Sequence, residues 1–246
     1  KKNLKRCLLR IAILMTNADD SPFSDQHPKD GEKFTALLHL ARPDWQMQVF
    51  SVKDGIFPDD LNGFDGAIIT GSPASVHDSD PWVAQLMDLV RQMVADGLPL
   101  FGACFGHQAI ALALGGKVEQ NPGGWVFGRT ESQIAARADW MAGLPATLGL
   151  YAAHVEQVTQ LPKGARILTS CGACPVGGFA IGHAVYTTQY HPEMTPDFIV
   201  ALTDELADKL PPAVLTQAGA SLTAPADTVA FAQSIARFFE QAVARD

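Results

Sequence analysis

LPLFGACFGHQAIALALGGKV, residues 98–118, decides the fold. Residues 98–101 read as a buried strand and residues 107–114 as a helix. Between them Cys104 stands in the frame Gly102-Ala103-Cys104-Phe105-Gly106. A chain that turns sharply from strand into helix holds the residue at the turn in a strained, exposed position. Side chains two before and two after would collide, so small residues are required there. This is the logic of the Gly-x-Ser-x-Gly elbow, with sulfur in place of oxygen. The helix behind the turn supplies unpaired N–H groups and a partial positive charge, which stabilise a thiolate and can hold an oxyanion. The competing reading of the same residues is a buried cysteine in an apolar βα unit.

A second segment favours chemistry. VYTTQYHPE, residues 185–193, reads as a strand running to its end at His191-Pro192-Glu193. Alternate residues of a strand share a face, so His191 and Glu193 are expected to point the same way. A thiol nucleophile needs a base, and the base needs an orienting acceptor. Cys104, His191 and Glu193 supply these three groups.

Together with Thr70-Gly71-Ser72-Pro73, these segments resemble the class I glutamine amidotransferases, also called triad or GATase1 domains. The resemblance runs over residues 11–196 and rests on three ordered motifs, the other two being Gly102–Gln108 and Gln189–Glu193. From Gly71 through Gly128 the chain is similar to stand-alone GMP-synthase-like amidotransferases and to γ-glutamyl peptidases. The fold implied is α/β: a flavodoxin-like parallel or mixed sheet with helices on both faces and antiparallel additions at its edge.

The resemblance also implies roles. Cys104 would attack the γ-carboxamide of glutamine or of a γ-glutamyl compound, with His191 moving the proton and Glu193 orienting the imidazole. Backbone N–H groups of Phe105 and of Ser72 or Gly71 would meet the oxyanion. Many relatives carry Gly-Gly-Pro or Gly-Pro-Gly where this chain has Gly71-Ser72-Pro73. A serine tolerates positive φ less well than glycine, so the expectation is a hole that forms with substrate. Gln108, one helical turn after Cys104, and His154 with the Val155 backbone are candidate substrate contacts. Trp125 either walls the pocket or packs under a hairpin. His107 is expected to be structural, or a hydrogen-bonding group in the first turn of the helix.

Composition agrees with a soluble enzyme. The 246 residues are 47% hydrophobic and 18% charged, enough for one substantial core. A net charge of −8 speaks against a nucleic-acid partner, because phosphate contacts need clustered Lys and Arg. Lys1 to Arg6 reads as a solvated basic tail. The following LLRIAILM is interrupted by Arg10, too short to span a bilayer, and lacks a small-residue cleavage pattern. It is read as the first strand, in a chain with no membrane span and a cytoplasmic home. The four cysteines, Cys7, Cys104, Cys171 and Cys174, are too few and uneven for a disulfide scaffold. Cys171-Gly-Ala-Cys174 is read first as a structural turn, with a redox pair and a metal site as alternatives. No metal and no cofactor are expected.

The remaining pattern alternates strand and helix: strands over 11–15, 45–52 and 64–70, helices over 32–41 and 82–96, then the elbow. Such alternation indicates a parallel sheet covered on both faces, with ligands at the carboxyl ends of its strands. After Gly116 the strands shorten and Gly and Pro intervene. Residues 1–246 are read as one domain, with 197–246 as a C-terminal helical extension. In that extension a helix is expected over 196–210, a loop of small residues over 213–226 and a helix over 228–245. Asp227 would cap this last helix, and Val229, Ile235, Phe238 and Phe239 would form its apolar face.

Two functional classes follow. One is a glutaminase that passes ammonia to a synthetase. This chain has neither a P-loop nor a Ser-Gly-Gly-x-Asp-Ser loop, so the synthetase would be a separate polypeptide. The other is a self-sufficient hydrolase of small γ-glutamyl amides. A non-catalytic binding protein on the same fold is the third and weakest reading. Homo-oligomerisation is left open.

Overall fold

The computed structural model describes residues 8–245; Cys7 and the basic tail lie outside them. The chain runs β1 (Arg10–Met15), α1 (Asp30–Ala41), β2 (Gln46–Ser51), β3 (Gly66–Ile69), α2 (Pro81–Ala95), β4 (Leu100–Ala103) and α3 (Phe105–Ala113). It continues through β5 (Lys117–Gln120), β6 (Val126–Ile134), β7 (Thr147–His154), β8 (Glu156–Gln160), β9 (Ala165–Ser170), β10 (Gly178–Ile181) and β11 (Val185–Thr188). Three helices end it: α4 (Pro196–Glu205), α5 (Pro212–Ser221) and α6 (Thr228–Val243). Among the described residues no helix is long and apolar enough to cross a membrane.

The main sheet has the order β2-β1-β3-β4-β11-β10-β9-β6-β7. Its first five strands are parallel. From β10 to β7 the pairing is antiparallel, as expected for edge additions. β5 and β8 form a separate antiparallel pair. The period of two along the parallel strands explains why both faces are covered. Ile11, Ile13, Ile68, Phe101 and Tyr186 belong to a core shared with α1 and α6. Their neighbours Ala12, Leu14, Ala67, Ile69, Leu100 and Val185 belong to a second core, shared with α2 and α3.

Three expectations are corrected here. The strand expected over 185–193 stops at Thr188. Beyond it the backbone leaves β4: the Gln189 N–H goes to Gly177 O (2.9 Å) and the His191 N–H to Tyr151 O (2.8 Å). His191 and Glu193 therefore meet across a turn and not by strand alternation. The loop expected over 213–226 contains α5, which Pro212 starts at a position where its missing N–H costs nothing. Its small residues serve packing: a Cβ on Gly128 of β6, at φ +91°, would come within 2.8 Å of Ala218 Cα. The helix expected to reach residue 210 ends at Glu205.

The last helix forms as expected but is held differently. The Asp227 side chain does not cap α6; its Oδ2 accepts from the Gly149 N–H at 2.8 Å, tying the helix start to β7. Phe231, Ile235, Phe238 and Phe239 are buried, whereas Val229 is exposed. Phe239 packs so close to β3 that a Cβ on Gly66 would lie 2.5 Å from its ring.

Candidate active site

The elbow is visible in the backbone. Cys104 has φ +49° and ψ −105°, and among the described residues it alone of the non-glycines has positive φ. α3 begins directly after it, two residues earlier than the sequence pattern indicates, so Cys104 sits at the helix N-cap. The flanking glycines are sterically required. A Cβ on Gly106 would stand 2.4 Å from Ile69 O, and one on Gly102 would stand 2.7 Å from the Gly106 backbone. The strained conformation is fixed from both neighbouring strands: Cys104 N–H donates to Thr188 O (2.9 Å) and Gly106 N–H to Thr70 O (3.1 Å). Gln108 N–H closes the first helical bond onto Cys104 O. Phe105 N–H is left without a protein acceptor among the described residues, at the positive end of the helix dipole.

The turn after β3 approaches from the other side. Thr16 pins it: its Oγ1 lies 3.0 Å from the carbonyl oxygens of both Thr70 and Gly71, which share its one proton. A Cβ at Gly71 would come 2.7 Å from His191 Cε1 and 3.6 Å from Cys104 Cβ, so three chain segments converge on one point. Neither Gly71 nor Ser72 has positive φ. The strain expected of a serine at 72 is therefore absent, and its hydroxyl caps its own turn by accepting from Ala74 N–H at 3.1 Å.

His191 and Glu193 are both buried, and His191 Nδ1–H donates to Glu193 Oε1 at 2.7 Å. That bond leaves Nε2 for the sulfur side. Burial opposes charge on the imidazole. The Cys104 sulfur and the Glu193 carboxylate outweigh it and hold His191 protonated well above its ordinary range. Glu193 Oε2 is buried with no partner among the described residues.

A cavity of about 610 Å³ opens over Cys104 and His191. Gly71, Ser72, Gln108, Trp125, His154 and Val155 line it, so most of the sequence-predicted positions share one space. The Phe105 side chain packs beneath, against Trp82. Trp125 lines the cavity and is about one-third exposed. His154 is 4% exposed and neither ring nitrogen has a partner among the described residues. Burial, then the charge of His191, push it down to about 3, so it is neutral. The Val155 carbonyl is taken by Asn121 N–H at 2.7 Å. Gln108 has both amide protons engaged, leaving its oxygen for a ligand.

His107 lies outside this cavity, fully buried, with Nδ1 2.8 Å from Thr187 Oγ1. Burial, then His154, push it down to about 3. Cys171 and Cys174 are unpaired and form a tight turn. Among the described residues no group of three or more His, Cys, Asp or Glu is placed to hold a metal. Sequence reasoning gave no role to Gln189, whose side chain reaches Cys104, or to the Glu156 carboxylate, which Ser75 Oγ meets at 2.9 Å. Gln189 was detectable, since it opens the Gln189–Glu193 motif two residues before His191; the Ser75–Glu156 contact left no local signal.

The family model of class-I glutamine amidotransferases matches residues 36–198. The chain belongs to this family. Among similar proteins, gamma-glutamyl peptidase 3 of Arabidopsis thaliana is 31% identical over 169 residues, 65% of this chain and 68% of that protein. A glutamine-hydrolyzing GMP synthase of Porphyromonas gingivalis is 33% identical over 139 residues, 56% of this chain but only 26% of that protein. The amidotransferase fold extends further than the sequence match. A glutamine amidotransferase of Thermotoga maritima superposes with a TM-score of 0.76 at 17% identity, covering 95% of this chain and 99% of that one.

Proposed function

We propose that this chain hydrolyses the γ-amide bond of γ-glutamyl compounds through a Cys104–His191–Glu193 triad. The observation that carries this reading is the convergence of a strained N-cap cysteine and a carboxylate-held histidine at the floor of one cavity. His191 takes the Cys104 proton, giving the thiolate–imidazolium pair that attacks. The thiolate attacks the γ-carbonyl carbon, and the oxyanion is met by the N–H groups of Phe105 and of Gly71 or Ser72. Collapse of the tetrahedral adduct breaks the C–N bond, and His191 gives its proton to the leaving nitrogen. Water, deprotonated by the now neutral His191, attacks the γ-glutamyl thioester. Glutamate leaves and the ion pair is restored.

The cavity size favours leaving groups larger than ammonia. About 610 Å³ lies within the range of about 300–1,000 Å³ typical of sites for drug-sized ligands. Likeness to a gamma-glutamyl peptidase supports the same direction. The glutaminase alternative, working with a separate synthetase polypeptide, is favoured by the match to a GMP synthase. We read residues 1–246 as one domain with 197–246 as its extension, which the shared core of α6 with β1, β4 and β11 supports. Unpaired thiols at Cys104, Cys171 and Cys174 fit the reducing cytoplasm.

Glutamate release from glutamine and from a panel of γ-glutamyl amides and peptides tests the reading, with Cys104→Ala as control. Turnover of bulky γ-glutamyl amides above glutamine, abolished in Cys104→Ala, is the expected result. Glutaminase activity alone would favour the synthetase-linked form. Hydrolysis retained by Cys104→Ala would overturn the triad.

A further inference from the structure

Behind the nucleophile lies an amide pair that the mechanism above does not use. Gln108, on α3, donates from Nε2 to the Glu156 carbonyl at 2.7 Å and to Gln189 Oε1 at 3.2 Å. Gln189, fully buried, places its own Nε2 3.6 Å from Cys104 Sγ.

One backbone group orients both amides. A carbonyl oxygen only accepts, so the end of Gln108 against Glu156 is its NH2. The second proton of that NH2 demands an acceptor, which fixes the Gln189 oxygen toward Gln108. The Gln189 NH2 is then the end that faces the sulfur. Flipping Gln189 would set two NH2 groups against each other and turn a carbonyl oxygen toward the lone pairs of the sulfur.

We propose that Gln189 is a positioning residue for the nucleophile: its amide, locked by Gln108 and the Glu156 carbonyl, donates to Cys104 Sγ and favours thiolate over thiol. This rests on the reading of Cys104 as the nucleophile. An NH2 group accepts no proton from a thiol, so the contact discriminates between the two forms of the sulfur, and hydrogen bonds to an ionised acceptor are the stronger ones. His191, itself held by Glu193, and Cys174 from the β9–β10 hairpin also interact electrostatically with the Cys104 sulfur.

The test is the pH dependence of Cys104 alkylation by iodoacetamide, followed on the Cys104 peptide by mass so that Cys7, Cys171 and Cys174 do not contribute. It is read beside kcat, KM and thermal unfolding. Gln189→Met keeps the side-chain length and removes the donor; Gln189→Glu replaces the donor with a carboxylate. The alkylation profile should move to higher pH by on the order of one unit in Gln189→Met, and further in Gln189→Glu. In both variants kcat should fall while KM stays near wild type. Gln108→Met frees Gln189 to flip and should give a smaller shift in the same direction; it also serves if the Gln189 variants do not fold.

A folded Gln189→Met or Gln108→Met whose Cys104 profile coincides with wild type overturns the proposal. Failure of the functional reading looks different. In that case the chain alkylated at Cys104 would still hydrolyse γ-glutamyl amides, while the alkylation shift would persist.

Discussion

Two cysteine-bearing turns leave the same sheet, one after β4 and one after β9, and the backbone treats their sulfurs in opposite ways. At the first, positive φ, the start of a nine-residue helix and the facing His191, whose protonated form the site favours, surround Cys104. At the second, Cys171 and Cys174 exchange backbone hydrogen bonds of 3.0 and 3.2 Å, neither has positive φ, and no helix follows. Burial, then Cys171, push the Cys174 thiol up to about 12, and Cys171 Sγ meets the Tyr190 hydroxyl at 3.5 Å. Glycine-flanked cysteine in a tight turn describes both. What separates them is the direction the backbone aims the sulfur and which charges wait there.

The largest expected effect breaks the charge half of this contrast. His191→Ala should lower kcat for γ-glutamyl amide hydrolysis by about 10²–10⁴-fold, the usual worth of a positioned acid–base. Glu193→Gln, which keeps a hydrogen-bond acceptor for Nδ1–H, should lose less. Steady-state kinetics on one substrate checks both, and equal losses would mean that Glu193 does more than orient the ring.

The steric half is tested by adding one methyl group to each turn. Gly106→Ala drives a Cβ to 2.4 Å from Ile69 O and should cost about 1–3 kcal/mol in urea unfolding, as overpacking does. Gly172→Ala meets nothing within 4 Å and has no positive φ to relieve, so its unfolding midpoint should match wild type.

The histidines around the elbow extend the comparison to pH. His107 and His154 stay neutral when folded, at about 3, whereas the unfolded chain takes protons near 6.5. Their contribution is present above the unfolded value and is lost as pH falls from there toward 3. The slope is about 1.4 kcal/mol per pH unit for each ring. His191 has the opposite sign: raised when folded, it contributes fully below its unfolded value and loses that contribution as pH rises through its folded one. Urea unfolding against pH should show the acid limb, and His154→Gln should flatten it by about one ring's share. An unchanged limb would mean that His154 is protonated in the native state.

The smallest effect belongs to the second turn. Cys171→Ser, at a half-buried position outside the cavity, should leave hydrolysis within about twofold of wild type. A larger loss would make the hairpin part of the machinery by way of Tyr190, the neighbour of His191.

Much of this was legible in the sequence because it is local. Gly102, Cys104 and Gly106 announce a strand-to-helix elbow through steric collisions within a few residues, and the continuous apolar runs of β1, β3 and β4, separated by helices, indicate a parallel sheet covered on both faces. α5 was missed because its small residues mimic a loop until β6 and Gly128 are beside them. The reach of the strand before His191 was overestimated because backbone partners, Gly177 and Tyr151, end it.

The sequence by itself determined the elbow, the parallel core and the set of groups available for chemistry, since each follows from short-range sterics and periodicity. Only the tertiary structure decided that His191 is held charged, that His154 is not, and that Gln189 aims its amide at Cys104. Those properties arise where segments far apart in the chain exclude water together, and hydrogen-bond direction and charge there depend on every group that arrives.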